Sequence, residues 1–191
     1  MVTGIIMASG FSKRMEDEKL LLKINGLPMV EHVIKSAHAS LLDEIILIYR
    51  RDGVKAVGKR YGIKTVLNSH PEKGQSEAIK IGIAHARSKS DGYMFFVGDQ
   101  PYLLPATINS LIEVFNQDKK CIIIPVYNGS RGNPVIFPAS LKKELLDLDG
   151  DCGGRIVAEG RETMVKLVPI KRDLEGRDID TWKIFERMHD R

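Results

Sequence analysis

Cysteine is scarce in this chain, with two in 191 residues, and that excludes a disulfide-framed scaffold as well as a four-thiolate zinc site. Aromatic residues make up only 6%. No apolar run approaches the roughly 20 residues of a membrane span; the longest, such as Glu44 to Tyr49 and Cys121 to Val126, are strand-sized. Neither charge sign dominates: 29 basic and 25 acidic side chains leave a net +4. The basic residues are dispersed, and the pairs Arg50-Arg51 and Lys171-Arg172 do not amount to a polybasic patch. The five histidines show no H-E-x-x-H spacing, and no Gly-x-x-x-x-Gly-Lys-Ser/Thr P-loop or G-x-G-x-x-G fingerprint is present. The balance predicts a protein with neither nucleic acid nor membrane as partner. The glycine-bearing turn arrives by residue 8, which leaves no room for a charged-then-apolar leader and predicts a cytoplasmic location.

What is present is an alternation of short apolar runs with helical patterns, the sign of strands joined by crossovers into a mostly parallel sheet. Strands are expected at Thr3–Met7, Glu44–Tyr49, Lys64–Leu67, Tyr93–Val97, Cys121–Pro125, Pro134–Phe137 and Val165–Pro169. Met29, Val30, Val33, Ile34 and Ala37, and likewise Ile108, Leu111, Ile112 and Phe115, recur at helical spacing and should face the sheet. Pro28 and Pro105 suit first helical turns. The expected fold is α/β, a three-layer Rossmann-like arrangement in one domain over 1–191. Its character changes near residue 127, separating a part of about 1–126 from one of about 127–191.

Ligands of open parallel sheets gather beyond the carboxyl ends of strands. Ala8-Ser9-Gly10 follows the first expected strand, which ends at Met7, with Arg14 and Lys19 behind it, so small side chains admit a nucleotide to the backbone while two cations meet its phosphates. Asn68 follows the third strand and Asp99 the fourth, with Gly98 giving room beside it. A carboxylate there suits Mg²⁺, and an isolated one would equally suit a turn before Pro101. Gln75 and Ser76 open a helix expected over Glu77 to Ala86, as ligands of a base or ribose or simply as its cap. Asp180 either supplies a carboxylate or caps the helix expected from Thr181 to Met188. Arg131 and Arg155 lie among glycines that leave a guanidinium open to an incoming phosphate, or that serve only as turns.

Met7 to Lys19 resembles the Leu-Ala-Ala-Gly-x-Ser-x-Arg-Met-Gly-x-x-x-Lys signature of the molybdenum cofactor cytidylyltransferases and guanylyltransferases, the MobA-like molybdopterin nucleotidyltransferases. Further matching patches occur in order: Asn68 with Gly74-Gln75-Ser76-Glu77, Gly98-Asp99-Gln100-Pro101, Arg131-Gly132-Asn133-Pro134, Gly150-Asp151-Cys152-Gly153-Gly154-Arg155, and Asp178-Ile179-Asp180-Thr181.

The resemblance implies a nucleotidyltransferase fold with a nucleotide half (about 1–126) and an acceptor half (about 127–191). It implies transfer of CMP from CTP to the terminal phosphate of molybdopterin with release of pyrophosphate, and a molybdenum oxidoreductase as recipient of the product. Catalytic roles would fall on Lys19, Arg14 and Asp99, and metal ligation of Mg²⁺ on Asp99 and Asp180. Met7, Ala8, Ser9, Gly10, Asn68, Gln75, Ser76, Arg131 and Arg155 would complete the binding set. Ala8-Ser9-Gly10 is closer to the Ala-Ala-Gly of the cytidylyl enzymes than to the Ala-Gly-Gly of the guanylyl ones, and a side chain in place of glycine narrows the room for a purine. Glu16 and Asn133 depart from the family's glycine and histidine. Guanylyl transfer, transfer to another phosphorylated acceptor, and a noncatalytic cofactor-delivery role are the competing readings.

Overall fold

A computed structural model describes residues 1–11 and 19–189, with side chains through residue 186. In chain order its elements are β1 (Val2–Ala8), β2 (Lys23–Ile24), β3 (Leu27–Pro28), α1 (Met29–His38), β4 (Glu44–Tyr49), α2 (Asp52–Arg60), β5 (Lys64–Leu67), α3 (Gln75–His85), β6 (Gly92–Val97), α4 (Pro105–Gln117), β7 (Ile122–Tyr127), β8 (Ser130–Arg131), β9 (Val135–Pro138), α5 (Lys142–Leu146), α6 (Arg155–Ala158), β10 (Val165–Ile170) and α7 (Trp182–His189). Strands from before and after residue 127 share one sheet in the order β10-β7-β9-β6-β1-β4-β5, with β8 added to β7. β1 pairs in parallel with β4 and β6, β4 with β5, and β7 with β10.

Strand periodicity sorts the core into two layers, because successive side chains point to opposite faces. Ile6, Leu47, Met94 and Phe96 pack with Val30, Val33 and Ile34 of α1, Val57 of α2 and Ile108, Leu111 and Phe115 of α4. Ile5, Ile46, Ile48, Tyr93 and Phe95 pack on the other face with Ile79 and Ile83 of α3, Leu145 of α5 and Val157 of α6. Each fully buried aliphatic or Phe side chain contributes about 1.5–3 kcal/mol. The helical spacing of 108, 111, 112 and 115 does mark the sheet-facing stripe of α4, which starts at Pro105 as expected.

Three details differ from the sequence expectation. β9 runs antiparallel between β6 and β7, a direction that apolar content alone does not encode. Pro28 ends β3 immediately before α1 instead of opening the helix. Met29 does not face the sheet: it packs with Ile24 and Ile179, so the start of α1 clamps the segment leading into α7. Ile179 is fully buried. Its burial fixes a stretch of chain that is otherwise irregular.

Among the described residues no helix is long and apolar enough to cross a membrane. Both cysteines are free thiols.

Candidate active site

A cavity of about 540 Å³ opens at the carboxyl ends of β1 and β6. Met7, Ala8, Ser9 and Gly10 form one side, Gln75 and Ala78 of α3 another, and Val97, Gly98 and Asp99 the end of β6; Lys19 and Asp180 close it. The expected convergence of the first loop and Asp99 is therefore present in the structure.

Lys19 is the centre of the arrangement. It is 7% exposed, and its Nζ donates to Asp99 Oδ2 at 2.7 Å and to Asp180 Oδ1 at 2.6 Å. Burial alone would lower the pKa of this ammonium, yet the charges and hydrogen bonds of Asp99 and Asp180 outweigh it and hold the pKa above the ordinary lysine value. The three groups come from positions 80 and 161 residues apart along the chain. Asp99 arrives on the turn after β6, whereas Asp180 arrives on the segment pinned by Ile179, whose N–H donates to the Asp99 carbonyl at 3.1 Å.

Asp180 does not cap α7. The Thr181 Oγ1 accepts from the Ile184 N–H at 3.3 Å, as an N-cap should, which leaves the Asp180 carboxylate to Lys19. In the extended run Asp178-Ile179-Asp180 the outer two side chains share a face while Ile179 enters the core. Asp178 accepts from Gln100 Nε2 at 2.8 Å, and the same Gln100 nitrogen donates to the Gly176 carbonyl at 3.1 Å. Local desolvation first, and then the charges of Asp99 and Asp180, push the Asp178 carboxyl up to about 6, against the opposing pull of Gln100 and Lys19. The sequence reading gave neither Asp178 nor Gln100 a role, although the Asp-x-Asp spacing carried the signal for the first.

Asn68 and Ser9 act on each other: both are buried, and Asn68 Nδ2 donates to Ser9 Oγ at 3.0 Å, fixing the loop after β1 to the end of β5. Ser76 is buried behind the cavity, and its hydroxyl donates to the Lys73 carbonyl instead of capping α3. The first amides of α3 are occupied from the other end of the chain. Gln75 N–H donates to Asp151 Oδ1 and Ser76 N–H to the Gly150 carbonyl, each at 3.3 Å. Gly74 permits this approach, since its φ is +82° and a Cβ would lie 2.6 Å from the Asp151 backbone. Arg155 lies elsewhere, exposed and 3.5 Å from Glu159. Arg131 lines a second cavity. Arg14, with Lys13 and Glu16, lies outside the described residues.

Around the main cavity the described lining residues hold four carboxylates, Glu72, Asp99, Asp151 and Asp180, against one ammonium. An acidic cavity at the carboxyl rim of an open α/β sheet is a setting for a ligand that arrives with its own cation. The chain belongs to the MobA-like NTP transferase domain family, whose match covers residues 4–165. The three-layer Rossmann-like nucleotidyltransferase fold expected from the sequence is the fold observed.

A probable molybdenum cofactor guanylyltransferase of Natranaerobius thermophilus is 30% identical over 136 residues, covering 67% of this chain and 62% of that protein. The match thus spans less than two thirds of that relative's length. The purine catabolism protein PucB of Bacillus subtilis is 26% identical over 191 residues, covering 93% of this chain and 91% of its own. Among solved structures, Rv0371c from Mycobacterium tuberculosis H37Rv aligns with a TM-score of 0.85 at 25% identity over 100% of this chain and 97% of that one. The same protein in complex with manganese aligns with a TM-score of 0.81 at 23% identity, over 99% and 98%.

Proposed function

We propose that this protein is a metal-dependent nucleotidyltransferase that moves CMP from CTP onto the terminal phosphate of a molybdopterin-type acceptor, releasing pyrophosphate. The observation that carries the reading is the meeting of Lys19, Asp99 and Asp180 in one cavity beside the Ala8-Ser9-Gly10 loop.

The donor set fits a hard divalent cation. Two carboxylate oxygens from distant parts of the chain already converge on one positive charge, the Lys19 ammonium, which stands where a cation is wanted. Among the described residues no group of three or more His, Cys, Asp or Glu could hold a metal unaided. Mg²⁺ is commonly held by one or two carboxylates, with substrate phosphates and waters completing its shell. Asp99 and Asp180 would hold it, and a relative of the same fold has been crystallised with manganese. When bound, the ion neutralises triphosphate charge and favours departure of pyrophosphate.

The chain's own residues then have defined tasks. Small side chains at Ala8 and Gly10 admit the nucleotide to the backbone of the β1 loop, and Ser9, tied to Asn68, fills space beside the base. Lys19, drawn from between its two carboxylates by a more strongly negative triphosphate, donates to the phosphate oxygens where charge grows. An oxygen of the acceptor phosphate forms a bond to the α-phosphorus. The bond to the β-phosphate oxygen breaks, and its electron pair leaves with pyrophosphate. No general base is needed, because a phosphate monoester is already largely ionised near neutral pH.

One relative and one residue bear on the choice of base. The guanylyltransferase name of the Natranaerobius protein favours GTP as the second reading, while the Ser9 side chain favours the smaller pyrimidine. The deciding experiment combines purified molybdopterin, Mg²⁺ and each of four NTPs, with mass spectrometry of the dinucleotide and measurement of pyrophosphate. A cytosine dinucleotide made by the protein and lost in Asp99→Asn is the expected result; a guanine product reverses the base assignment, and no product with any NTP refutes the function.

A further inference from the structure

Four carboxylates line the main cavity, and nucleotidyl transfer employs only Asp99 and Asp180. Glu72 and Asp151 remain, in a wall shared with Gly74 and Gln75. Phosphates are drawn to the Lys19 ammonium and to a metal, and acids that hold no cation repel them. The uncharged ring of a substrate, not its phosphates, therefore suits this wall. Of the two remaining acids, Glu72 already meets His70 Nδ1 at 3.1 Å.

Asp151 is held in place through its backbone. It lies in the glycine-rich connection between α5 and α6, which is pressed onto the start of α3. A Cβ on Gly74 would stand 2.6 Å from the Asp151 nitrogen and Cα, and one on Gly153 would stand 2.7 Å from Gln75 Oε1. The Ser76 N–H donates to the Gly150 carbonyl at 3.3 Å. Of the Asp151 carboxylate, Oδ1 accepts from the Gln75 N–H at 3.3 Å, and among the described residues Oδ2 has no hydrogen-bond or ion-pair partner. The side chain is exposed. One oxygen is thus fixed to the wall, and the other is open to a donor.

A carboxylate only accepts hydrogen bonds, so it sorts heterocycles by the donors on their edges. The exocyclic amine of cytosine, and the amine with its neighbouring ring N–H in guanine and in a pterin, suit it. Uracil and a lumazine turn an oxo group to it in place of the amine, and hypoxanthine has no amine there.

We infer that Asp151 is the specificity residue for an amine-bearing heterocycle in this cavity, its Oδ2 accepting from the exocyclic amine of a substrate ring. The inference rests on the transfer reading for which rings enter, the base of the NTP or the pterin of the acceptor, since both carry the same kind of edge. The open oxygen and the loop that holds it stand without that reading.

Asp151→Asn isolates the open oxygen: the amide keeps an acceptor for the Gln75 N–H and exchanges the other oxygen for an NH2 that donates. The full chain and this variant are titrated with matched pairs. CTP against UTP, and GTP against ITP, are added with Mg²⁺ and followed by calorimetry; 6-hydroxymethylpterin against the corresponding lumazine is followed by fluorescence without nucleotide. In at least one pair the unaltered protein should bind the amine-bearing member about tenfold or more tightly, and Asp151→Asn should bring that ratio to within about twofold of equality. The pair that responds identifies the ring, a nucleotide pair the base and the pterin pair the acceptor. Asp151→Ala should lose the same preference, and thermal melts confirm that both variants are folded. Ratios unchanged in Asp151→Asn, no preference in any pair, or no binding of any probe each overturn the inference. No arm requires transfer, so a preference set by Asp151 in a protein that never transfers a nucleotide refutes the function and leaves the recognition standing.

Discussion

Replacing Lys19 by Met should move two measurable quantities in opposite directions. The side chain keeps its approximate volume but loses the charge that lies 2.7 Å from Asp99 and 2.6 Å from Asp180. Both carboxylates retain solvent contact, at 21% and 45% exposure, so each contact is worth about 1 kcal/mol and not the several of a fully buried pair. Removing a competing cation worth about 1–2 kcal/mol should tighten divalent-metal binding to the nucleotide-free protein on the order of tenfold. Turnover should fall, because a donor aimed at developing phosphate charge typically supplies about 10²–10³ in rate. Mn²⁺ titration followed by electron paramagnetic resonance reads the first quantity, and pyrophosphate release under saturating CTP, acceptor and Mg²⁺ reads the second. A variant that binds Mn²⁺ more weakly than the unaltered protein, or turns over within threefold of it, would refute the claim that lysine and metal share these two carboxylates.

Asp178→Asn should flatten the pH dependence of stability: with its folded pKa near 6 and its unfolded value near 3.8, Asp178 lends stability that is full below about pH 4 and lost as pH rises through 6. Urea midpoints from pH 4 to 7 read this slope, and an unchanged slope in the variant removes Asp178 as its source. Gly74→Ala places a Cβ against Asp151 at a φ of +82°, a region almost reserved for glycine, and should cost about 1–3 kcal/mol, lowering Tm by about 2–10 °C; a melt within 1 °C contradicts the close approach. Ser9→Gly opens the loop and releases Asn68, and should lower the CTP-to-GTP ratio of kcat/KM about tenfold; a ratio that rises would show that Ser9 does not exclude the purine.

The strand pattern was legible because buried strands are short apolar runs ended by turn residues. Glu44–Tyr49 and Lys64–Leu67 appear with the expected limits, and β1 and β6 each extend the expected run by one or two residues. Strand direction was not legible: Val135–Pro138 reads the same whether it runs with or against β6, and only the short β7–β8 connection turns it back. Ser9, Gly10, Gln75 and Asp99 were legible as neighbours at the rim of the sheet, because each follows a strand closely or opens a helix there, and the structure brings them to one cavity. Arg155 was not separable from Arg131 by sequence, since both sit among glycines. What distinguishes them is that one turn faces the rim while the other directs its guanidinium to Glu159.

Asp180 shows why a site can be assembled from so far along the chain. A carboxylate on an exposed irregular segment would sample many positions, and ordering it would cost about 1–2 kcal/mol per residue in backbone entropy. Ile179 meets that cost locally, because its side chain is fully buried against Ile24 and Met29 and its N–H is tied to Asp99. Gln100 fixes the same segment at Gly176 and Asp178. Two of these anchors belong to the residues immediately around Asp99, so the two carboxylates are held in mutual register whatever occupies the space between them. Among the described residues that register sets two carboxylates against the single ammonium of Lys19, and under the proposed function a metal-bound triphosphate would take its place between them.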